Sequence, residues 1–280
     1  MKVLLTGARG QLGNDVLKEL DKRGHKPIGV DREEMDLIYT EKIKECIKKF
    51  NPEAIIHCGA YTNVDKAEDE ENLCRRINAT STKEIAKCAK ELDIPMIYIS
   101  TDYVFDGTKD GKYTEDDLPN PINVYGKTKY EGELYVQELL EKYYIVRISW
   151  VFGENGNNFV DTMLRLSKDR KSLNVINDQV GSPTYTKDLA KLLVDMIETN
   201  KYGIYHATNE GYCTWYDFAK YIFKIADIDI QVNKINTSKY PTKARRPSNS
   251  KMSKEKLKNM GFTTLRNYKS ALYEYIRNTL

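Results

Sequence analysis

Lys2-Val-Leu-Leu-Thr6-Gly7-Ala-Arg-Gly10-Gln11-Leu12-Gly13 stands at the start of the chain. Val3 to Thr6 is a continuous apolar run, as a parallel strand buried on both faces should be. A glycine turn follows at once, then a helical face carried by Leu12, Val16, Leu17 and Leu20. A tight strand-to-helix turn aims backbone amides and the positive end of a helix dipole at an anion, so this stretch reads as a dinucleotide cradle. Gly7, Gly10 and Gly13 supply the turn, the close approach and the helix–strand packing. Their spacing is G-x-x-G-x-x-G rather than G-x-G-x-x-G.

Outward from this unit the pattern repeats. Strands are expected over 26–31, 54–58, 95–100 and 144–149. Helices are expected over 41–50, capped by Thr40, and through the charged stretch 66–92. This alternation predicts an α/β fold: a Rossmann-type doubly wound parallel sheet with a smaller C-terminal substrate-binding region. Residues 1–150 are read as the cofactor domain. Residues 151–280 are read as mainly substrate-binding, packed on the first part and partly returning to it. There, helices are expected at 159–170, 187–199 and 215–226, a strand at 203–207, and a polar surface loop at 236–251.

Asp31 ends the second strand about 20 residues after the loop, where a carboxylate can bind the adenosine ribose. It favours NADH, whereas Arg32 beside it suits the extra phosphate of NADPH. The spacing Tyr-x-x-x-Lys occurs twice, at Tyr125…Lys129 and Tyr216…Lys220. Tyr216 sits in an amphipathic helix and reads as structural. Tyr125 opens a helix soon after the strand ending Ser100-Thr101, and ligands in open parallel sheets bind beyond the carboxyl ends of strands. Tyr125 is therefore assigned as general acid to a carbonyl oxygen receiving hydride. Lys129 is expected to lower its pKa and bind the nicotinamide ribose, and Thr101 to orient the carbonyl. Arg245-Arg246 is a candidate diphosphate clamp. His57 reads as a satisfied core histidine.

The 44 basic and 41 acidic residues give no electrostatic case for nucleic acid or membrane. Five cysteines without C-x-x-C spacing imply neither a disulfide framework nor zinc and suit the cytosol.

The glycine loop, His57-Cys-Gly-Ala-Tyr-Thr62, Val64-Asp-Lys-Ala-Glu68, Ser100-Thr-Asp-Tyr-Val-Phe105, Asn123-Val-Tyr-Gly-Lys-Thr-Lys129, Arg147-Ile-Ser-Trp150, Val175-Ile-Asn-Asp-Gln179 and Ala244-Arg-Arg-Pro247 run through nearly the whole chain. Together they resemble the extended short-chain dehydrogenase/reductase superfamily, and within it the dTDP-4-dehydrorhamnose reductase family. The resemblance implies reduction of the 4-keto group of a dTDP-6-deoxy-4-hexulose by NADH or NADPH. It implies Thr101, Tyr125 and Lys129 as catalytic residues, and cofactor contacts at Gln11, Leu12, Asp36, Leu37, Cys58, Gly59, Ala60 and Tyr61. Tyr103, Trp150 and Asn158 would face the sugar nucleotide. Cys58-Gly59 replaces the family's usual alanines. Some members hold Mg²⁺ between subunits through glutamates. Here Asp15 stands at one such position and Lys187 near another, so no metal ligand is assigned and a monomer or homodimer is expected. Two alternatives remain beside the reductase: another sugar-nucleotide enzyme such as an epimerase, and a non-catalytic binding subunit.

Overall fold

A computed structural model describes residues 1–279. Six parallel strands form one central sheet: β1 (Lys2–Thr6), β2 (Lys26–Val30), β3 (Ala54–His57), β4 (Met96–Thr101), β5 (Tyr143–Ile148) and β6 (Gly203–His206). Their spatial order is β2-β1-β3-β4-β5-β6. The order reverses between β1 and β3, and a crevice opens beyond the carboxyl ends of strands at such a switch point.

The strands are short, apolar and covered on both faces, as parallel sheets must be. Helix α1 (Gln11–Lys22) lies on one face. Helices α2 (Thr40–Phe50), α3 (Ser81–Glu91) and α4 (Val124–Leu139) lie on the other, with Ile43, Ile85 and Val136 fully buried. Past residue 150 come α5 (Phe159–Ser167), α6 (Thr186–Ile197), α7 (Trp215–Ala226) and α8 (Tyr268–Thr279). The apolar faces of α5, α7 and α8 close a second core around Phe152, Phe218 and Leu272. The chain also returns to the first part: α6 packs on α1, and β6 pairs with β5 in register from Gly203↔Tyr144 to His206↔Arg147.

Two local expectations need correction. Thr40 is the first helical residue of α2 rather than its cap. The Asp36 side chain accepts from the Ile38 N–H at 3.0 Å, and this turn brings the chain in with Tyr39 at the cap position. The stretch 66–92 is not one helix. It divides into Val64–Ala67, Glu71–Arg75, a π-helical turn Arg76–Thr80 and α3. The wide turn carries the buried Asn78, whose amide grips both backbone groups of Tyr61, at 2.8 and 3.2 Å. The loop 236–251 runs largely over the surface as expected, anchored by the buried Ala244 and Ser250, with a short 3₁₀ turn at Thr237–Lys239. A parallel pair, Ser172–Ile176 with Gln231–Ile235, was not anticipated.

Candidate active site

A cavity of about 790 Å³ opens at the carboxyl ends of β1, β3, β4 and β5. Gly7, Gly10, Gln11, Leu12, Gly13, Asp31, Asp36, Leu37, Cys58, Gly59, Ala60, Thr101, Tyr103, Tyr125, Lys129 and Trp150 all line it.

The glycines are there because the backbone passes close to itself. Gly7 has φ +67°, and a Cβ there would lie 2.8 Å from the Gly59 nitrogen. A Cβ on Gly13 would lie 2.1 Å from the Gly7 oxygen. At Gly10 nothing but that same oxygen comes within 4 Å, so the cavity side is open to a ligand. Gly10 caps α1, whose first turn carries no acidic residue, which leaves the helix N-terminus free for an anion. Across the crevice the Thr6 hydroxyl accepts from the Gly59 N–H at 2.9 Å, so its own proton goes to His57 Nδ1 at 2.6 Å. His57 Nε2–H then donates to Thr82 at 3.1 Å, and burial pushes the imidazole down to about 3. His57 is thus a neutral strut that fixes the cradle.

Asp31 lies just past β2, with its carboxylate accepting the N–H groups of Arg9 at 3.0 Å and Arg32 at 2.9 Å. The Arg9 guanidinium is engaged by Glu33 at 2.8 Å and Glu34 at 3.0 Å. Arg32 is exposed at the cavity rim.

Asn123 caps α4 by accepting from the Gly126 N–H at 2.7 Å, and this turn presents Tyr125 and Lys129 to the cavity. Gly126 is required there: a Cβ would lie 2.1 Å from the Tyr103 oxygen. The Lys129 side chain is buried, with Nζ 4.1 Å from the centre of the Tyr98 ring, and burial pushes it down to about 7. Burial also pushes the Tyr125 phenol well above its ordinary range. The expected lowering of the Tyr125 pKa by Lys129 meets an opposing influence here. In the ligand-free chain desolvation dominates, and Tyr125 keeps its proton through neutral pH.

Three candidates sit elsewhere. The Tyr61 hydroxyl donates to Glu70 at 2.7 Å, and the ring packs against Ala67, Cys74 and Val124, outside the cavity lining. Asn158 caps α5 by accepting from the Asp161 N–H at 3.0 Å, and its amide donates to Gln11 at 3.1 Å and to the Gly153 carbonyl at 3.1 Å. That side chain is fully engaged in holding the loop beside the cradle. Arg245 is exposed and only its backbone oxygen is used, by Asn123 at 2.8 Å. Arg246 instead forms a two-pronged pair with Asp65, at 3.1 and 2.7 Å.

The lining residues that sequence reasoning missed include Asp102 and Trp215. Asp102 is buried beside Thr101, whose hydroxyl donates to it at 3.0 Å, and burial pushes its carboxyl up to about 6. Trp215, at the start of α7, reaches back to stack on Trp150. Its signal was visible as a large aromatic directly after a Thr cap, where the helix entry faces the sheet.

One Asp15 carboxylate oxygen accepts the Thr186 hydroxyl at 2.5 Å, and the neighbouring Lys187 ammonium is 2.7 Å from Glu154. Among the described residues no group of three His, Cys, Asp or Glu side chains converges on a metal-sized site. No helix among them is long and apolar enough to cross a membrane.

The family model of the RmlD substrate binding domain matches residues 1–280. A dTDP-4-dehydrorhamnose reductase from Aggregatibacter actinomycetemcomitans is 44% identical over 89% of each chain. A solved dTDP-4-dehydrorhamnose reductase from Clostridium acetobutylicum superposes with TM-score 0.97 at 41% identity, covering 100% of this chain and 99% of the other. Another from Bacillus anthracis, solved in complex with NADP, gives TM-score 0.96 at 39% identity over 99% of each chain. A UDP-glucose 4-epimerase from Thermus thermophilus, at 19% identity and TM-score 0.84, shares the fold. The cradle, the Thr101–Tyr125–Lys129 wall and these likenesses lead to one conclusion: the chain belongs to the dTDP-4-dehydrorhamnose reductase family of the extended short-chain dehydrogenase/reductases.

Proposed function

We propose that this chain reduces the 4-keto group of a dTDP-6-deoxy-4-hexulose, the step that yields dTDP-L-rhamnose, with a reduced nicotinamide dinucleotide as hydride donor. One observation carries the reading: Thr101, Tyr125 and Lys129 line the same cavity as the glycine cradle, so a ketone and a dinucleotide fit side by side.

The residues present fit a dinucleotide. Gly10 and the free N-terminus of α1 would receive the pyrophosphate, Asp31 the adenosine ribose, and Asp36 and Leu37 the adenine edge. When bound, the cofactor supplies a hydride to the carbonyl carbon. Negative charge then develops on the carbonyl oxygen. Tyr125, protonated at neutral pH, donates the proton to that oxygen. The Thr101 hydroxyl orients the oxygen, and Lys129 holds the nicotinamide ribose and places positive charge behind the phenol. Tyr103, Trp150 and Trp215 form the sugar-nucleotide wall. NADH is the favoured donor because the Asp31 carboxylate repels a 2′-phosphate, with NADPH second through Arg32. The cytosol suits five free thiols.

The test is direct. Purified protein is given dTDP-4-dehydro-L-rhamnose with NADH or NADPH, and dinucleotide oxidation is followed beside formation of dTDP-L-rhamnose. Turnover with release of oxidised cofactor is expected. Tightly retained NAD with 4-epimer formation would point to an epimerase instead, and neither outcome with a folded protein would point to a binding subunit.

A further inference from the structure

Behind the cavity lies a buried ion pair that no reacting group touches. The Glu133 and Arg147 side chains are 0% and 2% exposed. Arg147 donates through Nε to Glu133 Oε1 at 2.9 Å and through Nη2 to Oε2 at 2.7 Å. Ser100 donates to the same Oε1 at 2.5 Å. One carboxylate therefore joins α4, β4 and β5. Ser100 directly precedes Thr101, and Glu133 follows Lys129 by one helical turn on the face that also carries Tyr125. Burying such a pair costs so much desolvation that apolar replacements are often neutral or stabilising. Stability is a weak reason for its presence, and its location suggests another.

The groups facing Lys129 come from four elements. Tyr98 stands on β4, His57 and Cys58 at the end of β3, Cys74 on the helix Glu71–Arg75, and Glu133 on α4 itself, one turn beyond Lys129 and buried like it. Burial keeps His57 neutral and holds the thiols of Cys58 and Cys74 and the phenols of Tyr98 and Tyr125 protonated. Glu133 is the one carboxylate among them, and it is the first influence opposing the desolvation of the Lys129 ammonium.

We propose that Glu133 is a positioning residue for the reduction: it is the fixed counter-charge that keeps Lys129 a cation. Its bonds to Ser100 and Arg147 also hold Thr101 and the Tyr125–Lys129 face in register. This rests on the reading of Lys129 given above.

The experiment compares profiles of kcat/KM against pH for wild type, Glu133→Gln, Arg147→Met, the double variant and Lys129→Met, all full-length. In Glu133→Gln the alkaline limb should move down by about one pH unit, which is about a tenfold loss on that limb. Arg147→Met keeps the carboxylate and removes its partner, so its limb should stay in place or move up. The double variant leaves no unpaired buried charge, should fold even if Glu133→Gln does not, and should place the limb below that of Arg147→Met. A merely loosened fold lowers the rate at every pH and cannot move the limb in opposite directions. If Lys129→Met abolishes the limb while Glu133→Gln and the double variant leave it unmoved, the inference about Glu133 is overturned and the site reading stands. A wild-type rate and limb in Lys129→Met overturns both.

Discussion

Trp150 and Trp215 stack face to face, with ring centres 3.6 Å apart and planes 12° from parallel. Trp150 follows β5 with the left-handed φ of +49°, an uncommon conformation for a bulky residue, and Trp215 opens α7 in the other half of the chain. The Trp215 indole N–H is tied to Gln179 at 3.2 Å. Both rings line the cavity, so the stack is a preformed flat wall, which the proposed reading assigns to the sugar nucleotide.

Trp215→Ala removes half of that wall and frees the other ring. The KM for the sugar nucleotide should rise about tenfold or more, since a stacked aromatic pair and its buried area are worth about 1–2 kcal/mol. The dissociation constant for NADH should stay put. Fluorescence titration of each ligand separates the two. An equal loss of cofactor affinity would show that the wall serves the dinucleotide.

Tyr125→Phe removes the proton donor without disturbing the Asn123 cap. Turnover should fall by about 10²–10⁴-fold with cofactor binding nearly intact. Tyr216→Phe is the control at the second Tyr-x-x-x-Lys spacing. Tyr216 packs at the edge of the second core, beneath the Lys220 and Lys234 ammonium groups. Its loss should leave turnover within about twofold of wild type, because no transition-state bond is removed.

Burial of Lys129 should tax stability in a pH-dependent way. Its folded value of about 7 lies below that of the unfolded chain, so the unfolded state binds more protons between about pH 7 and 10.4. The destabilisation is complete below this window and fades as pH rises through it. Lys129→Met should therefore raise Tm by several degrees at about pH 6, with the gap to wild type closing towards about pH 10. Calorimetry at both pH values checks it; a gap that does not depend on pH would assign the change to packing.

Asp31→Ser removes the repulsion towards a 2′-phosphate and leaves Arg32 at the rim. The ratio of kcat/KM for NADPH over NADH should rise about tenfold or more. A wild-type enzyme that already prefers NADPH strongly would show that the arginines govern this end of the cavity.

Chelation should change nothing. With Asp15 bonded to Thr186 and Lys187 paired with Glu154, exhaustive EDTA treatment should leave both turnover and sedimentation unaltered. Loss of either on chelation, restored by Mg²⁺, would mean that a second copy completes a site there.

What could be read from the residues depended on whether a role belongs to the backbone or to a side chain's competitors. Gly7 and Gly13 were legible because the tight turn leaves no room for a Cβ at either position. The helix carrying Tyr125 was legible from its place after the strand ending Ser100-Thr101, whereas the Asn123 cap that starts it at Val124 went unread. Asn158 and Tyr61 carried the right chemistry, yet nearer partners take it, an N-cap in one case and Glu70 in the other. Glu133 was invisible for the opposite reason. In Lys129-Tyr-Glu-Gly-Glu133 it looks like part of a solvated face, and its partner Arg147 is fixed only once α4 lies across β5. The π-helical turn was equally hidden, since its cause is a backbone 17 residues away.

The return of β6 to the sheet bears on how relatives can be recombined. The polypeptide leaves the nucleotide half after β5 and comes back to lay α6 against α1 and β6 beside β5. A chimera spliced at residue 150 would thus exchange the sheet's outer edge together with the sugar-facing wall, and Tyr144 would meet a foreign Gly203. Substrate choice is not a detachable cassette in this architecture; grafts that keep 186–206 with the host are the ones that should fold.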